Sequence, residues 1–142
     1  MGLFGVSPSG KAGAFEASIR WFESSHPSIM THREALESLF ADWRRGDALR
    51  SAAHFALDGA YREAGRPAIV GRDAIVAHFT AFFRDGPRWE FYPDETLVEG
   101  DRAAIKYRFA VVSPEGARLE RSGCAFVTFA DGTIVEWREY EG

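Results

Sequence analysis

The spacing of apolar residues changes once along this chain, at Trp89, and that change limits the folds open to it. Upstream, Leu36, Leu39, Phe40 and Trp43 recur every three to four residues, as on one face of a helix, and Ile75, Phe79, Phe82 and Phe83 repeat the pattern. Downstream, Ile105, Tyr107, Phe109 and Val111 alternate with Ala104, Lys106, Arg108 and Ala110, the spacing of a strand with one greasy and one half-wet face. Helices first and strands afterwards point to an α+β fold in which the greasy face of the sheet meets the helices.

Local signals divide the two halves further. Thr31 and Glu34 form a capping box that starts a helix, Gly46-Asp47 ends it, and Asp47 caps a second short helix over 48–55. Residues 58–63 read as a short strand, 65–71 as a loop, and 73–84 as a third helix stopped by Asp85-Gly86-Pro87. The strands 89–99, 103–112, 119–129 and 133–140 are joined by good hairpin turns and predict an antiparallel meander. With Pro93 and Gly123 placed where strands bend, the meander is expected to curl around the three helices as a cone, a cystatin-like α+β roll. Gly123 and Ala125, small residues on an inward row, are expected to leave a hydrophobic pocket inside it.

A pocket needs walls, and 142 residues with 46% hydrophobic and 14% aromatic side chains suffice for one domain with a real core. Residues 30–142 are expected to form that domain. Residues 1–29, rich in Gly, Ser and Pro at the start, read as a flexible extension with a short helix at 14–23 carried by Phe15, Ile19 and Phe22. Seventeen basic against twenty-one acidic residues, the arginines scattered, offer no face for nucleic acid. No apolar run approaches the roughly 20 residues that span a bilayer, so no membrane partner is expected. A single cysteine, Cys124, rules out an internal disulfide framework and suits a cytoplasmic location.

Two motifs fail on inspection. Gly5 to Ala12 approaches a phosphate-binding loop, but Ala12 stands where a magnesium-holding hydroxyl belongs. Neither an H-E-x-x-H helix nor a cysteine pair is present, so no metal is expected, and no organic cofactor is called for.

Trp-Arg-Arg-Gly-Asp at 43–47, Asp-Gly-Ala-Tyr-Arg-Glu at 58–63, Gly-Arg-Asp-Ala-Ile at 71–75 and Asp-Gly-Thr-Ile-Val-Glu-Trp-Arg-Glu-Tyr at 131–140, in this order, resemble the nuclear-transport-factor-2-like superfamily. The SnoaL-like polyketide cyclase branch is the nearest in look. Beside ketosteroid isomerases, the resemblance puts Glu63 where the proton-abstracting carboxylate sits. The partner tyrosine and protonated carboxyl would fall at Leu39 and about Ala125, which donate no hydrogen bond. Beside limonene-epoxide-hydrolase-like enzymes, Tyr61 and Glu63 match two water-positioning residues and Glu139 the carboxylate that activates the water. The arginine and aspartate of those enzymes would fall near Tyr107 and Phe109, with Arg108 one position away. A SnoaL-like cyclase has an acid near the end of the last strand, for which Glu139 or Glu141 would serve.

The resemblance turns the face shared by Tyr61 and Glu63, two residues apart in a strand, toward the pocket. A carboxylate among aromatic rings there has a raised pKa and becomes a usable acid or base. The competing reading makes Glu63 a rim residue paired with Arg62 or Arg66. Trp137 and Glu139 share a face of the last strand; if Glu139 and Glu63 meet in one pocket, their repulsion splits their roles. Against this stands an exposed end strand whose carboxylates pair with Arg121 or Arg138. His78, beside Phe79 on the third helix, is placed to pass a proton to Glu63, unless a backbone carbonyl satisfies it. Trp43, Phe79, Tyr107, Phe109 and Trp137 are expected to contact substrate. His54 reads as a helix C-terminal cap, and His26 and His32 as exposed.

These residues predict an acid–base cyclase, isomerase or hydrolase acting on an apolar oxygenated small molecule. The alternative is a non-catalytic ligand-binding or dimerisation module, a homodimer through the outward face of the meander near Ala104, Phe126, Thr128 and Tyr140.

Overall fold

The side chain of Thr31 accepts from the Glu34 N–H at 3.1 Å, and the Glu34 carboxylate accepts from the Thr31 N–H at 2.9 Å. This reciprocal cap starts helix α1 (His32–Arg44), as expected. The structure is a computed structural model that describes residues 30–142; the expected extension and its helix at 14–23 lie outside the described residues.

After α1, Gly46 takes the left-handed conformation (φ 68°) that reverses the chain, and Asp47 accepts from the Arg50 N–H at 2.9 Å to cap α2 (Ala48–Ala53). The remaining elements are β1 (Phe55–Arg62), β2 (Ile69–Val70), α3 (Arg72–Asp85), β3 (Arg88–Glu99), β4 (Arg102–Val112), β5 (Arg118–Ala130) and β6 (Thr133–Glu141). Among the described residues the fold is α+β, three helices with a curved six-stranded sheet of order β2-β1-β6-β5-β4-β3.

The strands of the second half run as the antiparallel meander expected. Two features differ from the sequence reading. The strand expected at 58–63 begins earlier, at Phe55, and joins the sheet by pairing parallel to β6, with Tyr61 opposite Trp137. The loop expected at 65–71 contains β2, which closes that edge by pairing antiparallel to β1.

Bending occurs at register breaks after Pro93 in β3 and after Thr128 in β5, where one residue more on one strand than on the other tightens the twist. Gly123 carries no such break. It pairs with Tyr107 on β4, and a Cβ there would come within 2.6 Å of the Tyr107 hydroxyl. The space expected above Gly123 is therefore taken by the Tyr107 ring.

Between helices and sheet, Leu36, Leu39, Ile75, Ile105 and Trp137 are wholly buried, each worth about 1.5–3 kcal/mol in burial. Buried Asp42 pairs with Arg45 and accepts from His54 Nε2 at 2.9 Å, which ties α1 to the end of α2. His54 is also the residue that caps α2, the position expected for it. His32, expected exposed, is half-buried. Its ring stacks on Phe129 at 4.0 Å and bonds Asp101 at 3.0 Å.

Candidate active site

The inner rows of β3 and β4 bring aromatic rings opposite those of α3. Trp89 pairs with Val111 and Phe91 with Phe109, so antiparallel register lays these side chains in one sheet face, toward Phe79 and Phe83. Phe83 stacks on Trp89 at 6.0 Å, Trp89 on Phe109 at 6.2 Å, and Phe91 on Tyr107 at 5.5 Å. These contacts close one side of the space between helix and sheet and leave the rest open. They leave a cavity of about 600 Å³, the size of a drug-sized ligand site.

One side of the cavity is polar. Glu63, just past the end of β1, accepts from His78 Nε2 at 3.0 Å and from the Tyr61 hydroxyl at 3.4 Å. These hydrogen bonds, with Arg66 at 4.0 Å, hold the Glu63 carboxyl below its usual range, the His78 contact contributing most. An ionised carboxylate only accepts, so the His78 Nε2 carries the proton.

Glu139, on β6, has the opposite character. Burial pushes its carboxyl up from 4.5 to about 7, and the nearby negative charges of Glu63 and Glu141 add to the shift. Two donors oppose it, Trp137 Nε1 at 2.9 Å and the Tyr107 hydroxyl at 3.4 Å, without cancelling the burial. Both Tyr61 and Tyr107 lie deep beside these carboxylates, and both phenols are pushed far above their ordinary range, so they stay protonated.

Tyr61, Glu63, His78 and Glu139 thus line one cavity with Trp43, Phe79, Tyr107 and Phe109. The raised carboxyl anticipated for Glu63 belongs to Glu139 instead, because His78 supplies Glu63 with a partner that Glu139 lacks. Glu63 also approaches Arg66, as its competing reading had it. Neither Arg121 nor Arg138 takes up Glu139: Arg121 sits 3.7 Å from Glu141 and Arg138 3.3 Å from Glu136.

Trp137 is not on the wall. It is wholly buried beneath it, perpendicular to Trp43 at 5.3 Å, and acts through its N–H on Glu139. Arg108 faces outward, bonded to Asp94 at 2.8 Å and lying over the Tyr92 ring, so no register shift brings it to the cavity. Leu39 and Ala125 are wholly buried and apolar, as expected from the missing donors.

Sequence reasoning overlooked Trp89 and Phe91 on the wall, and Arg66 and Arg121 among its lining. The first two were legible as the strand positions paired with Val111 and Phe109. Among the described residues, no three His, Cys, Asp or Glu side chains converge as a metal site would need, and no helix is long and apolar enough to cross a membrane.

The same fold recurs in solved structures that resemble this chain in structure more than in sequence. An NTF2-like protein of unknown function from Burkholderia pseudomallei K96243 superposes with a TM-score of 0.69 at 15% identity, over 80% of this chain and 92% of that one. A protein with a ketosteroid isomerase-like fold from Catenulispora acidiphila, solved with trimethylamine, gives 0.68 at 17%, over 78% and 86%. An LEH-like epoxide hydrolase from M. tuberculosis gives 0.67 at 18%, over 76% and 80%. At such identities the likeness establishes the fold alone. The profile of the SnoaL-like domain matches residues 36–137, and the chain belongs to that family. No curated protein matches it.

Proposed function

We propose that this protein is an acid–base enzyme that moves protons on an apolar, oxygen-bearing small molecule, as an isomerase or cyclase does at an enolisable ketone. The observation that carries the proposal is the split between two carboxyls lining one cavity. Glu139 is raised to about 7 and Glu63 is held low. Such a split assigns an acid and a base at neutral pH.

Glu63, ionised, accepts a proton from the carbon beside the carbonyl, directly or through a water held by Tyr61. Glu139, protonated, hydrogen-bonds the carbonyl oxygen and stabilises the charge developing there as the C–H bond breaks. His78, donating from Nε2, disperses the charge on Glu63 before the transfer, and Glu63 holds the proton until it is returned. The proton returned from Glu63 to a second carbon completes an isomerisation; attack of the enolate on a second carbonyl, whose oxygen takes that proton as the C–C bond forms, completes a cyclisation. The register supports this division: Glu139 lies directly across from Ala125, the position at which the isomerase resemblance expects a protonated carboxyl. Hydrolysis of an epoxide is less well supported, because Tyr107 and Phe109 replace its activating pair and Arg108 is turned away.

Deuterium exchange at the activated methylene of 2-tetralone, followed by proton NMR in heavy water near neutrality, tests the proposal with an enolisable aromatic ketone that the cavity can hold. The wild type should accelerate exchange, and Glu63→Gln and Glu139→Gln should each remove most of the acceleration. Wild-type exchange no faster than buffer, or rates in both variants equal to that of the wild type, would sink it.

A second copy of the chain is the partner we infer for the outer face. Phe126 and Tyr140 are 44% and 47% exposed there and pack against each other at 5.8 Å, two rings from water that a face-to-face dimer would cover. Sedimentation showing only monomer at micromolar concentration would overturn that assignment.

A further inference from the structure

Behind the wall formed by Trp43, Phe83, Trp89 and Phe91 lies a second cleft, of about 550 Å³, that the acid–base chemistry does not use. It runs between the end of α1 and the first residues of β3, the edge strand of the sheet. Its polar lining is unlike that of the cavity. Arg44 and Arg45 come from the last turn and cap of α1, and Arg88 opens β3 opposite them. Two of the three have no carboxylate of their own among the described residues. Arg45 is paired with Asp42, whereas among the described residues Arg44 reaches the Phe91 carbonyl, at 3.4 Å, and no carboxylate, and Arg88 has no ion pair. Glu90 also lines the cleft, but it is bound to Arg118, at 2.8 and 3.0 Å, and accepts from the Tyr92 hydroxyl.

Two cationic residues near the end of a helix are ordinary, since they offset the helix dipole. That does not account for a third placed opposite them on the edge strand, in a chain whose net charge is −4. Like charges gathered around a concave surface raise the local potential and draw an anion into it. A guanidinium fork also suits a carboxylate or phosphate better than an ammonium would. The apolar part of the lining is aromatic: Trp43, Phe83, Trp89 and Phe91 present their other side to the cleft. The indole N–H of Trp43, in that shared wall, is buried and has no hydrogen-bond partner among the described residues.

We propose that this cleft is a second ligand site, for an organic anion that sets its carboxylate or phosphate among Arg44, Arg45 and Arg88 and its flat apolar body against the Trp43 and Trp89 wall. It is separate from the acid–base cavity and back to back with it.

Calorimetric titration with 2-naphthoate, 2-naphthyl phosphate and the neutral 2-naphthalenemethanol tests this. The anions should bind the wild type, more weakly at about 300 than at about 50 mM salt, and lose about tenfold or more in affinity in Arg44→Ala/Arg88→Ala. The neutral compound should bind that variant as it binds the wild type. The tighter of the two anions identifies the head group as carboxylate or phosphate.

Anion affinity unchanged in Arg44→Ala/Arg88→Ala overturns the proposal. So does a loss confined to Arg66→Ala/Arg121→Ala, which would place the anion at the cavity instead. Should the double variant not fold, Arg88→Gln alone gives the same reading with a smaller loss. Tetralone exchange in Arg44→Ala/Arg88→Ala keeps the two proposals apart. Anion binding without wild-type exchange removes the enzyme and leaves the cleft, and exchange without anion binding does the reverse.

Discussion

Glu63 and Glu139 are the same side chain in the same cavity, and the protein treats them oppositely. Glu63 lies just past the end of β1 and opposite the middle of α3, where His78 and the loop residue Arg66 are within reach. Glu139 sits near the end of β6 and within the sheet, with only a phenol and an indole N–H as donors. Neutral donors do not repay the cost of taking a charge out of water, and cationic ones come closer to doing so. A pair of acids is thereby turned into an acid and a base by the identity of the neighbouring helix residue. No catalytic residue need differ.

The largest effect expected is from Glu139→Gln, which keeps the shape and removes the transferable proton. Turnover of any substrate, tetralone exchange included, should fall by about 10²–10⁴-fold. Stability should move the other way. Because the folded carboxyl titrates near 7 and the unfolded one near 4.5, the folded chain holds a proton the unfolded chain has released, and stability falls as pH rises through that window. Above it the penalty is about 3 kcal/mol. Glu139→Gln should therefore be more resistant to denaturant than wild type above about pH 7 and lose that advantage below about pH 4.5. A variant that is no more stable at high pH would show that Glu139 is not held neutral.

Glu63→Gln should cost about 10²-fold in turnover and, unlike Glu139→Gln, destabilise the fold at neutral pH. Its carboxyl titrates lower folded than unfolded, so its contribution is present above the ordinary glutamate range and is lost as pH falls through the folded value. A pH–rate profile checks both assignments together. Activity should drop above about 7 as Glu139 ionises and drop in acid as Glu63 is protonated. Fitting the high-pH limb to a group elsewhere, by its persistence in Glu139→Gln, would break the comparison.

How far this site could be read without coordinates follows from what each signal encodes. The capping box at Thr31 and the alternation through Tyr107 are local, and they located α1 and β4 almost to the residue. Two-residue β2 has no period to show, and nothing in the spacing of Phe55 to Arg62 says that its neighbour is β6 or that the pair runs parallel. Trp137 and Glu139, two apart on one strand face, were both assigned to the wall. Depth separated them, because Phe40 and Trp43 of α1 cover Trp137 and leave Glu139 at the cavity. The direction of the Glu63 shift was missed for a related reason. The spacing places His78 near Glu63, but whether burial or the hydrogen bond across fifteen residues of chain sets the shift depends on depth, which spacing does not encode.

Gly123 tests whether the environment of Glu139 is built or incidental. A methyl group at this position would meet the Tyr107 hydroxyl at 2.6 Å and the Tyr140 carbonyl at the same distance. The Tyr107 ring must tip away and the Tyr140 backbone on β6 must shift with it, so Gly123→Ala should loosen the surroundings of Glu139, cost about 1–3 kcal/mol in stability and slow turnover about tenfold. Near-wild-type rates with the stability loss intact would show that Tyr107 fills space and does not tune the acid.

Tyr107→Phe isolates the hydroxyl and should give the smallest change. At 3.4 Å its bond to Glu139 is long, and a neutral hydrogen bond is worth about 0.5–1.5 kcal/mol, so a loss of a few-fold in turnover is expected. Its sign is more telling than its size. The hydroxyl helps the ionised form of Glu139, so removing it should push that carboxyl further up and carry the high-pH limb of the profile with it. The Glu63 limb should stay where it is, because the hydrogen bonds that set it come from His78 and Tyr61. A shift of both limbs would mean that the two carboxyls titrate as one coupled pair, and the separation of acid from base would then belong to the cavity as a whole.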